Sequence, residues 1–190
     1  MNKLKNKVLK IVIIIYIVSI ILGIITYFIT DINIDNTILN YINSFKNNLN
    51  YLSGFKRTII YNTSYSLLIW LSGLLIIGVL SPLALILRGL SLGITITSII
   101  LQFKLKGLIL AIIMLISNVL LYEIIFILLS YYSINLSIKT FKLLKQNTQI
   151  NIKSFYKNYF LRYLILLIIL IITSIIDIYI VSTILKYIII

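Results

Sequence analysis

The stretch from Tyr65 to Leu101 constrains this chain more than any other, because it carries a single charge, Arg88. As one helix it would extend roughly 55 Å at 1.5 Å per residue, against about 30 Å of bilayer hydrocarbon. It is too apolar to face water and too long for one crossing. Pro82, the only proline in the chain, divides it. Proline lacks a backbone donor and disfavours helix in the residue before it. The expectation is two spans, Thr63–Ser81 and Leu83–Leu101, joined as a tight helical hairpin. A re-entrant segment over Pro82–Arg88 is the alternative, and it would need shelter from lipid for its unpaired backbone.

Three further apolar runs have membrane length: Ile11 to Ile29, Gly107 to Tyr132 and Tyr163 to Leu185. Hydrophobic residues make up 61% of the 190, so there is little polar surface left for a water-facing domain. The expected fold is therefore all-α, a polytopic integral membrane protein of about five transmembrane helices. The first run is read as an uncleaved anchor, since Tyr27-Phe28-Ile29-Thr30 offers no small-x-small cleavage site.

The net charge of +13 would suggest nucleic acid in a soluble protein. Here its placement is topological. Lys3, Lys5, Lys7 and Lys10 precede the first run and place the N-terminus inside. Counting crossings puts segment 133–162 on the same side, with Lys139, Lys142, Lys145, Lys153, Lys157 and Arg162. The short link Gln102–Lys106, the loop Thr30–Asn62 and the C-terminal tail fall outside. The expected topology is N-in and C-out in the cell membrane. Membrane lipids, anionic ones beside 133–162, are the expected partners, and no nucleic acid is expected.

The outer loop has a helical pattern of its own over 35–54. Ile38, Ile42, Phe45, Leu49 and Leu52 follow 4-3-4-3 spacing and share one face, with Ser53-Gly54 as a stop. Such a helix lies on the outer leaflet, or docks an extracytoplasmic partner, or does both.

Ionisable residues at membrane depth are functional suspects. Arg88, Glu123 and Asp177 qualify. Arg88 could extend to the inner interface or pair with Glu123, and Asp177 could reach the outer interface or meet Lys104 or Lys106. A transport path is the competing role. Gly89 and Gly93 form a GxxxG that lets two helices approach, and Gly73 and Gly78 add small surfaces on the neighbouring span. Asn118 could hydrogen-bond across helices. Such faces are also compatible with a homo-oligomer.

The chain has no Cys and no His, which removes the usual zinc, haem and iron–sulfur ligands and the commonest general base. It carries no phosphate-binding glycine loop and no Ser-x-x-Lys. No cofactor and no enzymatic activity are expected.

The series Leu68-Ile69-Trp70-Leu71-Ser72-Gly73, Ile77-Gly78, Pro82, Arg88-Gly89 and Gly93 resembles the core signature of the stage II sporulation protein M family. There a W-x-x-G span end is followed by a proline-containing break, a basic residue before glycine, and a further glycine. The layout of spans also matches. Ile116-Ser117-Asn118 lacks the proline the family often has in the fourth span, so no family role carries to Glu123. The resemblance implies a non-catalytic membrane scaffold at the sporulation septum. It would localise a peptidoglycan-degrading complex during forespore engulfment, with stage II sporulation proteins P and D as partners. A small transporter or permease subunit is the competing class, and a non-sporulation relative shares the same membrane core.

Overall fold

Lipid offers backbone groups no hydrogen bonds, so an apolar chain crosses it as helices that satisfy themselves. The computed structural model describes residues 2–30, 51–115, 122–146 and 152–189, and within them all regular structure is helical. We number the helices α1 (Asn2–Ile29), α2 (Tyr51–Leu74), α3 (Ser81–Leu115), α4 (Ile124–Gln146) and α5 (Ile152–Ile189). The protein is a polytopic α-helical membrane protein. Four helical stretches are long and apolar enough to cross a bilayer: Lys7–Ile29, Ser81–Ile109, Ile124–Lys145 and Phe155–Ile176. Helix α2 passes from a polar first half, with Lys56 and Asn62, into an apolar second half over 67–74.

The helices are patterned inside out. In α1 the buried face is Val12, Tyr16, Ser19 and Gly23, a 4-3-4 series, while Ile11, Ile14, Ile17 and Ile21 are exposed. Asn62, Ser66, Ile69 and Gly73 form the same series in α2, and Ser130, Ser133, Ser137 and Thr140 form the inward face of α4. Burial does not leave these hydroxyls bare. Ser19 donates to the Tyr16 carbonyl, Ser66 to Thr63 and Thr140 to Leu136 within their own helices. A hydroxyl that closes its bond on its own helix is cheap to bury and small enough to let helices approach.

Helix α2 ends earlier than the apolar run suggests. Its C-terminus is a Schellman motif: Ile77 N–H donates to the Ser72 carbonyl at 3.1 Å and Ile76 N–H to the Gly73 carbonyl at 3.3 Å. A 3₁₀ turn, Gly78–Leu80, then leads directly into α3. The break therefore lies before Pro82 and not at it. Pro82 occupies the first turn of α3, where its missing N–H costs nothing. The left-handed position of the motif, usually glycine, is filled by Ile76 at φ 62°. A β-branched residue there is strained by about 1–2 kcal/mol. Ile76→Gly is expected to stabilise the protein by about 1 kcal/mol, part of the relieved strain being offset by entropy of the unfolded chain. Thermal unfolding in detergent checks this, and a fall in stability would remove the strain argument.

Helix α3 is broken at Lys104 (φ 50°, ψ −122°), within the 102–106 segment. A side chain on Gly107 would strike the Ile99 carbonyl. Eight residues apart on a straight helix the two would be about 12 Å distant, so the chain turns back sharply here. Beyond it α3 continues to Leu115, and the chain re-enters the described structure at Tyr122 and Glu123, which form a π-helical turn ahead of α4.

Helix ends on the inner side also differ from the apolar runs. Helix α4 continues to Gln146 and α5 starts at Ile152, so much of segment 133–162 is packed helix, with Ser133, Ser137 and Tyr159 buried. The amphipathic pattern of 35–54 falls almost entirely outside the described residues, including Ile38, Ile42, Phe45 and Leu49; Leu52 lies in α2, its side chain undescribed.

Candidate functional site

An arginine and a glutamate within apolar helices need each other, or some other partner, before they are tolerable at depth. Arg88 sits two turns into α3, and Glu123 sits in the π-helical turn before α4. The structure joins them: Arg88 Nε donates to Glu123 Oε1 at 2.8 Å. Their side chains are 8% and 1% exposed, so the pair is desolvated on both sides. Arg88 Nη1 also donates to Asn62 Oδ1 on α2 at 2.9 Å. The guanidinium carbon lies 4.1 Å from the centroid of the Phe126 ring, which gives the cation an aromatic face on α4. One side chain thus ties α2, α3 and α4 together. This is the only ion pair among the described residues.

The tie leaves two loose ends. Glu123 Oε2 and the Tyr16 hydroxyl, contributed by α4's leading turn and by α1, are both buried and neighbour each other just outside hydrogen-bond geometry. Beside the pair, an open-sided cleft of about 140 Å³ is walled by Tyr61, Ser91, Leu92, Thr95 and Ile96, with Arg88 and Glu123 at its end.

Gly89 and Gly93 lie next to Arg88 and face α1. A Cβ on Gly89 would meet Ser19 Oγ, and one on Gly93 would meet the Ile20 carbonyl and the Gly23 backbone. Gly23 in turn abuts the Leu90 carbonyl. The contacts 19–89 and 23–93 advance together, so α1 and the first half of α3 run parallel. Two small-xxx-small motifs, Ser19/Gly23 and Gly89/Gly93, lie in register.

At the far end of α2 the W-x-x-G step has an equally concrete role. Trp70 stacks on Tyr163 of α5 with centroids 4.8 Å apart, and Tyr159 Oη donates to the Trp70 carbonyl at 2.9 Å. Gly73 leaves room for that Tyr159 hydroxyl and for Ser133. The Gly78 N–H donates to Ser137 Oγ at 2.8 Å, and Ser81 and Ser130 share a hydroxyl bond at 2.8 Å. Pro82 is buried beside this seam.

Of the sequence candidates, the structure brings Arg88, Gly89, Gly93 and Glu123 into one region and places Gly73, Gly78 and Pro82 in a second. Asn118 lies outside the described residues, and Asp177 lies on α5 with its side chain undescribed. Asn62, Ser19, Gly23 and the serines of α4 escaped the reading of the sequence. The signal was present as alternating three- and four-residue spacing of small polar residues, which becomes visible once the inward face is sought among hydroxyls instead of among large apolar side chains. Among the described residues no cluster of three His, Cys, Asp or Glu side chains could hold a metal. With Glu123 engaged by a guanidinium, the arrangement serves to position helices.

No curated protein and no solved structure matches the chain. A family model does, over residues 11–181: its description is Stage II sporulation protein M.

Proposed function

Since the chain belongs to the stage II sporulation protein M family, a family of sporulation-related membrane proteins, we propose that it is a non-catalytic scaffold of the cell membrane. In this reading it anchors a peptidoglycan-degrading complex at the sporulation septum during engulfment, and the hydrolytic chemistry belongs to its partners. Stage II sporulation proteins P and D are the proposed partners.

The observation that carries the reading is the use made of the polar residues. Arg88, Glu123 and Asn62 are spent on one another across three helices. Trp70, Gly73 and Tyr159 lock a fourth, α5, to α2. An anchor needs a rigid, self-contained membrane bundle of this kind, and it needs an element that meets the partner. The outer segment 35–54, on the side where peptidoglycan lies in the N-in topology, is the proposed docking element. The exposed Lys142, Lys145 and Lys157 would rest on anionic headgroups on the opposite side.

Deletion of the gene in its own host, followed by membrane-dye microscopy during sporulation, tests the proposal. Septa are expected to form and engulfment to stall, and a copy lacking 35–54 is expected to insert in the membrane without rescuing. Normal engulfment in the deletion strain would overturn the scaffold reading. Full rescue by the shortened copy would move the partner surface elsewhere.

A further inference from the structure

The inward face of α4 outruns the elements it packs against. Along that face Ser130 bonds Ser81, Ser133 bonds Ser72, and Ser137 accepts from the Gly78 N–H. All three partners belong to the end of α2, the 3₁₀ turn or the start of α3. A heptad along a helix returns to the same face within about 20°. Leu144 therefore lies on the face of Ser137, and Phe141 lies one turn past Ser137 beside it. The turn has ended by then, and Phe141 and Leu144 are 65% and 58% exposed. Helix α4 itself runs on to Gln146, about 13 Å beyond Ser137, with the Lys139 ammonium over the Phe155 ring of α5. A recess is left beneath the α2–α3 turn. Its roof ends in exposed Leu75, Ile77 and Leu80, and its wall is Phe141 and Leu144.

Depth and charge decide what fills it. Residues 74–80 carry no charge, as suits a turn at hydrocarbon depth. Lys142 and Lys145 lie about 8 and 12 Å past Ser137, which brings them to the headgroup zone of the same leaflet. They are three residues apart, so they stand next to each other, and both are exposed. In the N-in topology this is the inner side. Segments 1–10 and 133–162, which meet there, contain no Asp or Glu, so the chain offers these lysines no counter-charge of its own on that side.

The occupant must therefore be apolar toward the turn and anionic about a turn and a half further in. A soluble anion would meet the lysines and leave Phe141, Leu144 and the turn bare. A zwitterionic lipid would cover the apolar surface and bring no net charge to the lysines. A lipid with an anionic headgroup matches both, in the orientation that inner-leaflet lipids already have.

We propose that this recess holds one anionic phospholipid of the inner leaflet, its phosphate on Lys142 and Lys145 and an acyl chain over Leu144 and Phe141 up to the α2–α3 turn. This is a single built site and goes beyond the general contact of exposed lysines with headgroups. Lys157 is the internal contrast: it is exposed on α5, two residues from buried Tyr159 and so on the opposite face, with the same charge and no recess beside it. The proposal uses the N-in placement and is independent of the scaffold role.

The test uses the full chain purified in detergent and titrated with phosphatidylglycerol or phosphatidylcholine of identical acyl chains, with occupancy read by native mass spectrometry. Phosphatidylglycerol is expected to bind roughly 25-fold tighter, about fivefold for each lysine. The double variant Lys142→Gln/Lys145→Gln is expected to lose that preference with its lipid-free melting temperature unchanged, and Lys157→Gln to keep it. The chain has no Cys, so Leu144→Cys places a single thiol in the recess. Phosphatidylglycerol is expected to slow its labelling by a charged maleimide several-fold more than phosphatidylcholine does at the same concentration. Equal affinity for the two lipids would overturn the proposal, as would equal labelling of Cys-substituted position 144 in both. An equal loss of preference in Lys157→Gln would reduce the effect to surface charge and remove the site. Soluble glycerophosphoglycerol separates the two sources of the same chemistry: if it protects the thiol as well as the lipid does, the ligand is a soluble anion and the lipid assignment falls.

Discussion

Glu123→Leu is expected to destabilise the bundle by about 3–5 kcal/mol, the usual result of removing one member of a buried ion pair. The cost comes from what is left behind. Arg88 is 8% exposed and would keep Asn62 as its one hydrogen-bond acceptor, with no counter-charge. Arg88→Leu is expected to fall in the same range, because Glu123 would then be buried without its counter-charge and without the Arg88 hydrogen bond. The double replacement is the informative variant. With both charges gone the helices lose a tie but no longer bury an uncompensated charge, so it is expected to be more stable than either single change. Denaturant titration in detergent, followed by Trp70 fluorescence, gives all four corners of the cycle. Additive losses would show that the two side chains do not depend on each other, and the ion pair would then contribute nothing beyond two separate packing terms.

The second large effect is expected at the parallel contact between α1 and α3, and it is graded. Gly93→Ala places a methyl group against backbone, the Ile20 carbonyl and the Gly23 Cα, neither of which can rotate away. The two helices must separate, and the loss is expected to be roughly 3 kcal/mol, at the upper end for over-packing. Gly89→Ala meets a side chain instead, Ser19 Oγ. The Ser19 hydroxyl can turn aside at the loss of its bond to the Tyr16 carbonyl, but Ser19 Cβ at 2.9 Å cannot, so a smaller helix shift and about 2 kcal/mol are expected there. A single alanine substitution at each position, measured by thermal unfolding in matched detergent, separates the two. If Gly89 proved the more sensitive, the register of the two small-residue motifs would have to be different from that described.

These two regions show what a membrane sequence makes legible. The apolar runs gave the fold class, and Gly89 and Gly93 announced a close approach, because lipid imposes length and backbone satisfaction whatever the neighbours are. The identity of the facing helix was less accessible. Ser19 and Gly23 carry the complementary spacing, but a serine and a glycine within an isoleucine-rich run also read as ordinary members of a span. The turn before Pro82 was hidden for a different reason. Proline announces a helix start as well as a break, and Ile76 in a left-handed position contradicts local propensity, so tertiary packing around Gly78 and Ser137 had to override it. The aromatic slot of Trp70 was visible as a motif and not as a mechanism, since Tyr159 lies 89 residues away in sequence.

The order of synthesis gives Asn62 a second significance. Arg88 emerges from the ribosome 35 residues before Glu123. At 5–20 residues per second that leaves roughly two to seven seconds in which the arginine has no counter-charge. Asn62 is already made by then, 26 residues upstream on the helix that forms a hairpin with α3. A neutral amide can hold the guanidinium within that hairpin until the carboxylate arrives. Insertion of the second and third helices then does not have to wait for the fourth, and the newborn cation is chaperoned by its own chain.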